Sequence, residues 1–496
     1  MTRVLIVGSG PTGAAYARLL TEALPSVQVV MVDAGPILTD PPGMNIKNIP
    51  EPGGQAAARD ASQGTAGLPG VAGVPGGTVA EGTVTARHGT HLIGRPAKGS
   101  GGMPAAAVST CVGGQGAHWT CATPRPTGTE RVAFIDPAEW EEHVTDAERL
   151  LHTTHSAFTE SPQADAALAL LADAFPDVPV RRLPIAADPK PDGMLRWAGT
   201  DVVLPRPGRF LLRPRTLCTR LLVSGNRVTG AVLRDQETGA SERLEADAVV
   251  VAADALRTPQ LLWASGIRPP ALGRYLTEHP LLFGVVAVRP GTLPAVRARS
   301  LDPITTAVNL GYSDTAHPFH AQLMFTPTCP VPLPPDHPQA DNPAGYIGMG
   351  WGVRKWPRSS DRVTFDDGAP DDTGLPAIRI AYELTEREEA ELDRARSVAL
   401  RAAALFGDFL PGMPRAMPAG SSLHYMGTFR MGPADDGTSV CDTYSRLWGT
   451  DGLVLAGNGL IPTANACNPT LTSVALAARG AAALAARLRM GTPIRP

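Results

Sequence analysis

Only four of the 44 basic residues are lysine (Lys47, Lys98, Lys190 and Lys355), and 47 acidic residues outweigh them to a formal charge of −3. A nucleic-acid binder needs a positive face, so no nucleic-acid partner is expected. Lysine scarcity beside abundant Ala, Gly and Pro reads as a coding bias toward GC-rich codons and carries no chemistry. The six cysteines, from Cys111 to Cys467, form no C-x-x-C pair and no zinc-like spacing with histidine. Neither a disulfide framework nor a metal is therefore expected, and free thiols suit a cytoplasmic protein. No unbroken apolar run reaches the ~18 residues of a membrane span. Residues 3–7 already read as a strand, which leaves no room for a leader peptide. Charged residues are 18% against 43% hydrophobic, the balance of a folded chain. At 496 residues, two to four domains are expected.

What is present begins at the first residues. RVLIV (3–7) is a short apolar run, GSGPTG follows, AAYARLLTEAL is helical, and VQVVMVD is a second apolar run. Gly8, Gly10 and Gly13 thus form G-x-G-x-x-G between a strand and a helix, where backbone amides and the helix dipole hold a pyrophosphate. Asp33 closes the second strand 20 residues after Gly13, the place for a carboxylate that accepts from a ribose diol. The competing explanation is a glycine-rich structural turn. These motifs do not separate NAD from FAD, since both carry the same ADP half.

Further along, residues 35–104 are rich in Gly, Pro and Ala, with one strand expected at 83–86. Apolar spacing predicts helices over 137–158, 385–407 and 470–488. Alternating apolar and polar residues from 216 to 253 predict a β-meander followed by a buried strand, and GLVLA (452–456) predicts one more.

Six stretches, in order, resemble the glucose-methanol-choline (GMC) oxidoreductases, in their pyranose 2-oxidase-like branch with its glycoside 3-oxidases. They are GSGPTG with VDAG, VGGQGAHWTCATPRP (112–126), LRTPQLLWASGI (256–267), GRYLTEHP (273–280), FLPGMPRAMPAGSSLHYMGTFRMG (409–432) and IPTANACNPTLTSVALA (461–477). The resemblance implies an α/β fold: a Rossmann-like FAD-binding domain from residues 1–136, 205–285 and 430–496, and a sheet-based substrate-binding domain from 137–204 and 286–429. It implies FAD as cofactor, with Gly8, Gly10, Gly13 and Asp33 at the ADP end, Gly113 and Gly114 beside them, Cys218 by the adenine, and Asn458 and Thr470 at the flavin end. His424 resembles the family's general base and Asn468 its partner, while Thr120 resembles the residue near flavin N5. Imidazole suits the role because the hydroxyl proton must pass to a group titrating near working pH. Asn468 before Pro469 also reads as a helix N-cap, a role compatible with catalysis.

His118 matches the histidine that many members bond to the flavin, although this chain reads GGQGAHW where the fungal enzymes read GGMSTHW. In HPFHAQLMFTPTC (317–329), which resembles the family's substrate loop, Gln322 is retained. Met324 and Thr326 replace a polar His and Asp. A less polar pocket favours a larger or more apolar aglycone, which makes oxidation at C3 of a glycoside an alternative to C2 of a free sugar. The Pro-rich stretch 330–352 is a candidate lid. Phe429 stands where the family has His, and no catalytic role falls to it. Either oxygen or a quinone-type acceptor would take the electrons. A chain shorter than the fungal enzymes suggests a monomer or dimer. The rivals are a GMC dehydrogenase for another alcohol, an NAD-dependent enzyme and a noncatalytic nucleotide-binding protein.

Overall fold

The computed structural model describes residues 2–51, 53–55, 57–58, 89–92, 95–96, 102–158, 161–190, 194–294, 304–331, 333–334 and 336–496. The strand expected at 83–86 lies outside them.

In chain order, β1 (Arg3–Val7), α1 (Pro11–Ala23) and β2 (Gln28–Val32) confirm the opening unit. Next, α2 (Pro137–Leu151) starts on Asp136, whose side chain accepts from the amides of Ala138 and Glu139, and stops where His152 turns left-handed at φ 55°. It is therefore seven residues shorter than the expected 137–158. After α3 (Pro162–Ala174) come β3 (Leu211–Arg213), the meander β4 (Thr216–Ser224), β5 (Arg227–Asp235) and β6 (Ser241–Glu245), and then β7 (Ala248–Val251) and α4 (Asp254–Ala264). Four long strands follow: β8 (Leu281–Val288), β9 (Thr306–Leu310), β10 (Phe319–Thr326) and β11 (Tyr346–Val353). The hairpin β12 (Arg362–Pro370) and β13 (Pro376–Ala381) leads to α5 (Glu386–Phe406), which opens on the capping box Thr385–Glu388. The chain finishes with β14 (Leu453–Leu455) and α6 (Pro469–Met490).

Two sheets organise the molecule. One is parallel, in the order β3-β2-β1-β7-β14, and its valine-rich strands are buried on both faces as such a sheet requires. The other is antiparallel, with β8, β11, β10 and β9 side by side and short strands 407–409 and 180–182 at its edges. One face of it, carrying Phe319, Ala321, Leu323 and Phe325, packs on α3 and α5 in a separate core. The opposite face carries Gln322 and Met324.

Residues 137–151, expected with the substrate-binding segments, place Trp140, Val144 and Leu151 in the same core as the parallel sheet, with α2 against α6. By length and composition α6 could cross a bilayer, yet its apolar residues are consumed inside the protein against α1 and α2. The region resembling a substrate loop is mostly strand, since 319–326 is β10. The candidate lid is likewise strand from Tyr346 onward.

Candidate active site

The three glycines of the first turn do different work. Gly8 is left-handed at φ 102°, and a Cβ on it would run into the carbonyl of Ala252 after β7. A Cβ on Gly13 would strike the Gly8 carbonyl, so this glycine lets α1 sit tight on the turn. Among the described residues nothing lies within 4 Å of such a carbon on Gly10, so its backbone is open for a ligand to approach. Gly10 is also the N-cap of α1 and offers no side chain to the first amides, which stay available to an anion.

Asp33 is held by local hydrogen bonds. Its Oδ2 accepts from the Ser9 amide at 3.0 Å and the Ser9 hydroxyl at 2.5 Å, and its Oδ1 accepts from the Gly35 amide at 2.9 Å. Burial pushes its carboxyl above the ordinary value, while those hydrogen bonds act the other way. The Ser9 hydroxyl also accepts from the Gly113 amide at 2.9 Å. Ser9, which the sequence did not single out, thereby ties the first turn to the second glycine turn, where Gly113 (φ 96°) packs on Gly43 and Gly114 faces Gly10.

One cavity gathers Gly8, Gly10, Asp33, Gly114, Cys218, Asn458 and Thr470 from six separated segments. Gly13 and Gly113 support its wall from behind. His118 and Thr120 do not line it, although Trp119 does. His118 Nε2 lies 2.8 Å from the hydroxyl of Ser109, a lining residue, and burial pulls its imidazole down to about 4. Thr120 is exposed. Buried Cys218 has its thiol pushed up to about 12 by desolvation, so it contributes shape and backbone, not reactivity.

Neither His424 nor Asn468 lines this cavity, although their sequence neighbours Leu423, Tyr425 and Thr470 do. Asn468 is the N-cap residue of α6 but its side chain does not cap the helix. The expected capping role is thus corrected: the Oδ1 atom instead accepts a short hydrogen bond from Gln322 Nε2 of β10. The amides at the start of α6 consequently lack a side-chain acceptor and face the Thr470 end of the cavity.

The loop that carries Asn468 hangs from Glu130. This fully buried carboxylate accepts from the amides of Ala466 and Cys467, both at 2.9 Å, from the Thr127 amide at 3.1 Å, and meets His320 Nε2 at 3.3 Å. Glu130, His320 and Cys467 form the kind of cluster that can hold a metal, a grouping the cysteine spacing gave no hint of. Here the carboxylate is already engaged by amides, and Cys467 donates to the Pro124 carbonyl at 3.0 Å. The cluster therefore works as a clamp on the loop. The sequence held a signal for Glu130, because Thr127 and Glu130 form a capping box.

The loop that carries His424 is held by a second buried carboxylate. Glu278 accepts from the Gly420 amide at 2.7 Å and the Ser422 hydroxyl at 3.2 Å, and the same hydroxyl accepts from the His424 amide at 3.2 Å. Tyr425 ties this loop to the cavity wall: its hydroxyl accepts from the Ala107 amide at 2.8 Å and donates to the Gly420 carbonyl at 2.9 Å. Among the described residues no cation pairs with Glu278, and burial pushes its carboxyl up to about 8. The neighbouring His279 places its Nδ1 3.1 Å from Nδ1 of His424. Burial pulls His424 down to about 4, away from the near-neutral titration expected of it, and pulls His279 well below its ordinary value, so both rings are neutral at neutral pH and share one proton between the two Nδ1 atoms. Both Glu278 and His279 lie in the TEHP motif, which gave no role to either from spacing alone.

Strand β11 brings the two loops together. A Cβ on Gly352 would lie 3.2 Å from His279 Nδ1 and 3.0 Å from the carbonyl of Ala466, two residues before Asn468. Met324 is half-buried on the same face of β10 as Gln322, whereas Thr326 is buried and donates to the Thr328 carbonyl at 2.8 Å. Thr326 is therefore spent on a local turn. Phe429 is buried against the Asn458–Leu460 turn, and a Cβ on Gly459 would enter its ring, which identifies its packing role.

The donors present fit FAD. Two helix ends with no side-chain cap, α1 and α6, open on one cavity, and Gly10 leaves backbone room where a diphosphate must approach. Comparison with known proteins agrees. Family models described as GMC oxidoreductase match residues 206–281 and 357–477. A C-glycoside 3-oxidase of Microbacterium trichothecenolyticum is 46% identical, covering 96% of this chain and 95% of its own. Another, from Arthrobacter globiformis, is 43% identical, with 98% and 95% covered. A pyranose 2-oxidase of Tricholoma matsutake is 32% identical over 78% of this chain and 74% of its own. The fold is shared with pyridoxine 4-oxidase from Mesorbium loti, at TM-score 0.65, 19% identity and coverage of 97% and 99%. The chain belongs to the GMC oxidoreductases, a membership that implies FAD.

Proposed function

We propose that the chain oxidises a secondary ring hydroxyl of a pyranose sugar or glycoside to a ketone, with C3 of a glycoside favoured over C2 and with oxygen or a quinone-type compound as final acceptor. The observation that carries this reading is that the clamped loops bearing Asn468 and the half-buried His424 approach one another at Gly352, each within two residues of the lining of a cavity suited to FAD. The names of the two relatives above 40% identity support the C3 choice. When bound, FAD supplies the two-electron acceptor for the hydride leaving the carbinol carbon.

The chain's own residues handle the proton and the orientation. With Nδ1 of His424 turned to His279, Nε2 is the atom left to take the hydroxyl proton. Gln322 fixes the rotamer of Asn468 by holding its Oδ1, and the Asn468 amide nitrogen donates to the substrate oxygen. The first amides of α6, free of a side-chain acceptor, favour negative charge at the neighbouring end of the cavity. We also propose that Thr120 contributes its hydroxyl on the substrate side.

The test is anaerobic loss of flavin colour on mixing with glucose, methyl β-glucoside or an aryl C-glucoside. At least one should reduce the flavin, and His424→Ala should retain FAD yet slow reduction at least about a hundredfold, the usual scale for a general base. Undiminished reduction in that variant overturns the role of His424, and an inert wild type overturns the substrate class. The arrangement has a pH signature too. With His424 held near 4, the rate should stay flat through neutrality and fall only on approach to that value.

A further inference from the structure

Side chains alternate along β11, and every second one is missing. Tyr346, Ile347, Met349, Trp351 and Val353 are buried, while Gly348, Gly350 and Gly352 alternate with the last of them on the face shared with Gln322 and Met324. Register makes the placement firm: Met324 pairs with Gly348, Gln322 with Gly350 and His320 with Gly352. None of the three glycines adopts a left-handed backbone, so no turn requires them. Gly352 is explained by close packing against His279 and Ala466.

Gly350 has no such explanation. Among the described residues, a Cβ there would meet nothing within 4 Å, and one on Gly348 would only touch the Met324 carbonyl at 3.8 Å and Pro330 at 4.0 Å. Glycine inside a strand costs conformational entropy and packs nothing, and it marks places where another group approaches the backbone. An independent feature points into the same region. Asn468 is nine-tenths buried, its Oδ1 is held by Gln322 opposite Gly350, and its Nδ2 has no partner among the described residues.

We propose that Gly350, helped by Gly348, determines specificity by keeping open a flat subsite for the aglycone of an aryl glycoside. The proposal rests on the reading of His424 and Asn468 as the pair acting on the sugar ring. With the ring hydroxyl at Asn468, a planar substituent lies against bare peptide planes of β11 and meets Met324 at the rim. A side chain at 350 projects into the space that the aromatic group needs and leaves the sugar-binding polar groups in place.

The experiment compares anaerobic flavin reduction by an aryl C-glucoside and by methyl β-glucoside in wild type, Gly350→Ala, Gly350→Leu and Gly348→Leu. Gly350→Leu should lower the aryl-to-methyl ratio of second-order reduction rates at least about tenfold, with a smaller drop for alanine. Full reduction by dithionite confirms that each variant holds working FAD. Should leucine prevent FAD binding, Gly350→Ala and Gly350→Ser carry the same ratio test, because the space beside this position is open. A ratio unchanged within about threefold in the flavin-loaded variants overturns the proposal alone. A wild type reduced by neither glucoside overturns the sugar-oxidation reading on which it rests.

Discussion

The nucleotide end and the substrate end of this protein are built from different materials. At the nucleotide end, glycines, backbone amides and helix starts do the work, and side chains such as Ser9 and Asp33 mainly hold the backbone in place. At the proposed substrate end, the groups assigned to the reaction are side chains on loops 420–425 and 465–468, held by the buried carboxyl groups of Glu278 and Glu130. A site made of backbone fails by steric intrusion, whereas a site made of side chains fails by loss of orientation. Substitutions at the two ends should therefore separate cofactor binding from turnover.

The largest separation is expected at Gly13. Gly13→Val puts a branched carbon against the Gly8 carbonyl, so the purified protein should carry little or no flavin, read as flavin absorbance per protein. Normal flavin content would break the contrast, because it would mean that the turn yields without cost. His424→Ala is its mirror image, with flavin kept and turnover lost.

A middle effect is expected at the joint between the ends. Arg479 of α6 is buried and donates to Glu139 of α2 through Nε at 2.8 Å and Nη2 at 3.1 Å. Arg479→Ala should cost about 2 kcal/mol in denaturant unfolding, below the range for orphaning a buried charge because Glu139 keeps 31% of its side chain exposed. A loss under about 0.5 kcal/mol would place this pair with ordinary surface bridges.

A pH-dependent effect sharpens the substrate end. Glu278 has a folded-state pKa of about 8, above the ordinary 4.5, so its contribution to stability is complete at low pH and is lost as pH climbs from about 5 through 8. Glutamine mimics the protonated form, accepting from Gly420 and donating to Ser422. Glu278→Gln should melt like wild type at pH 5 and relatively higher at pH 9. Parallel melting curves across that range would show that Glu278 ionises freely in the fold.

The same division governs how much could be read from the sequence. The nucleotide end was legible because its signals are local: alternation and turn residues gave β1, α1, β2, the meander and β14, and the glycine spacing gave the turn. The resemblance implied a sheet-based substrate-binding domain, but the strands of the antiparallel sheet were not located from the sequence. Glycine at every second position of β11 hides its alternation, and continuous apolar runs such as LLFGVVAV carry no period. His424 and Asn468 were found through family resemblance, because a lone imidazole and an Asn-Pro pair have plain structural explanations. The contact between Gln322 and Asn468 spans 146 residues, and nothing local to either announces it. Glu278 and His279 sat inside a quoted motif without a role, since only their burial and hydrogen-bond partners reveal what they do.

Gly10 and Asn468 head two helices that lie side by side, with Gly480 of α6 giving way to the ring of Tyr16 on α1. A shift of one helix is therefore felt at the start of the other. In thermodynamic terms the two ligands share one free-energy surface: whatever factor dinucleotide occupancy adds to sugar affinity, sugar occupancy must return to the dinucleotide. Titrations of loaded and stripped protein are thus two readings of a single coupling constant.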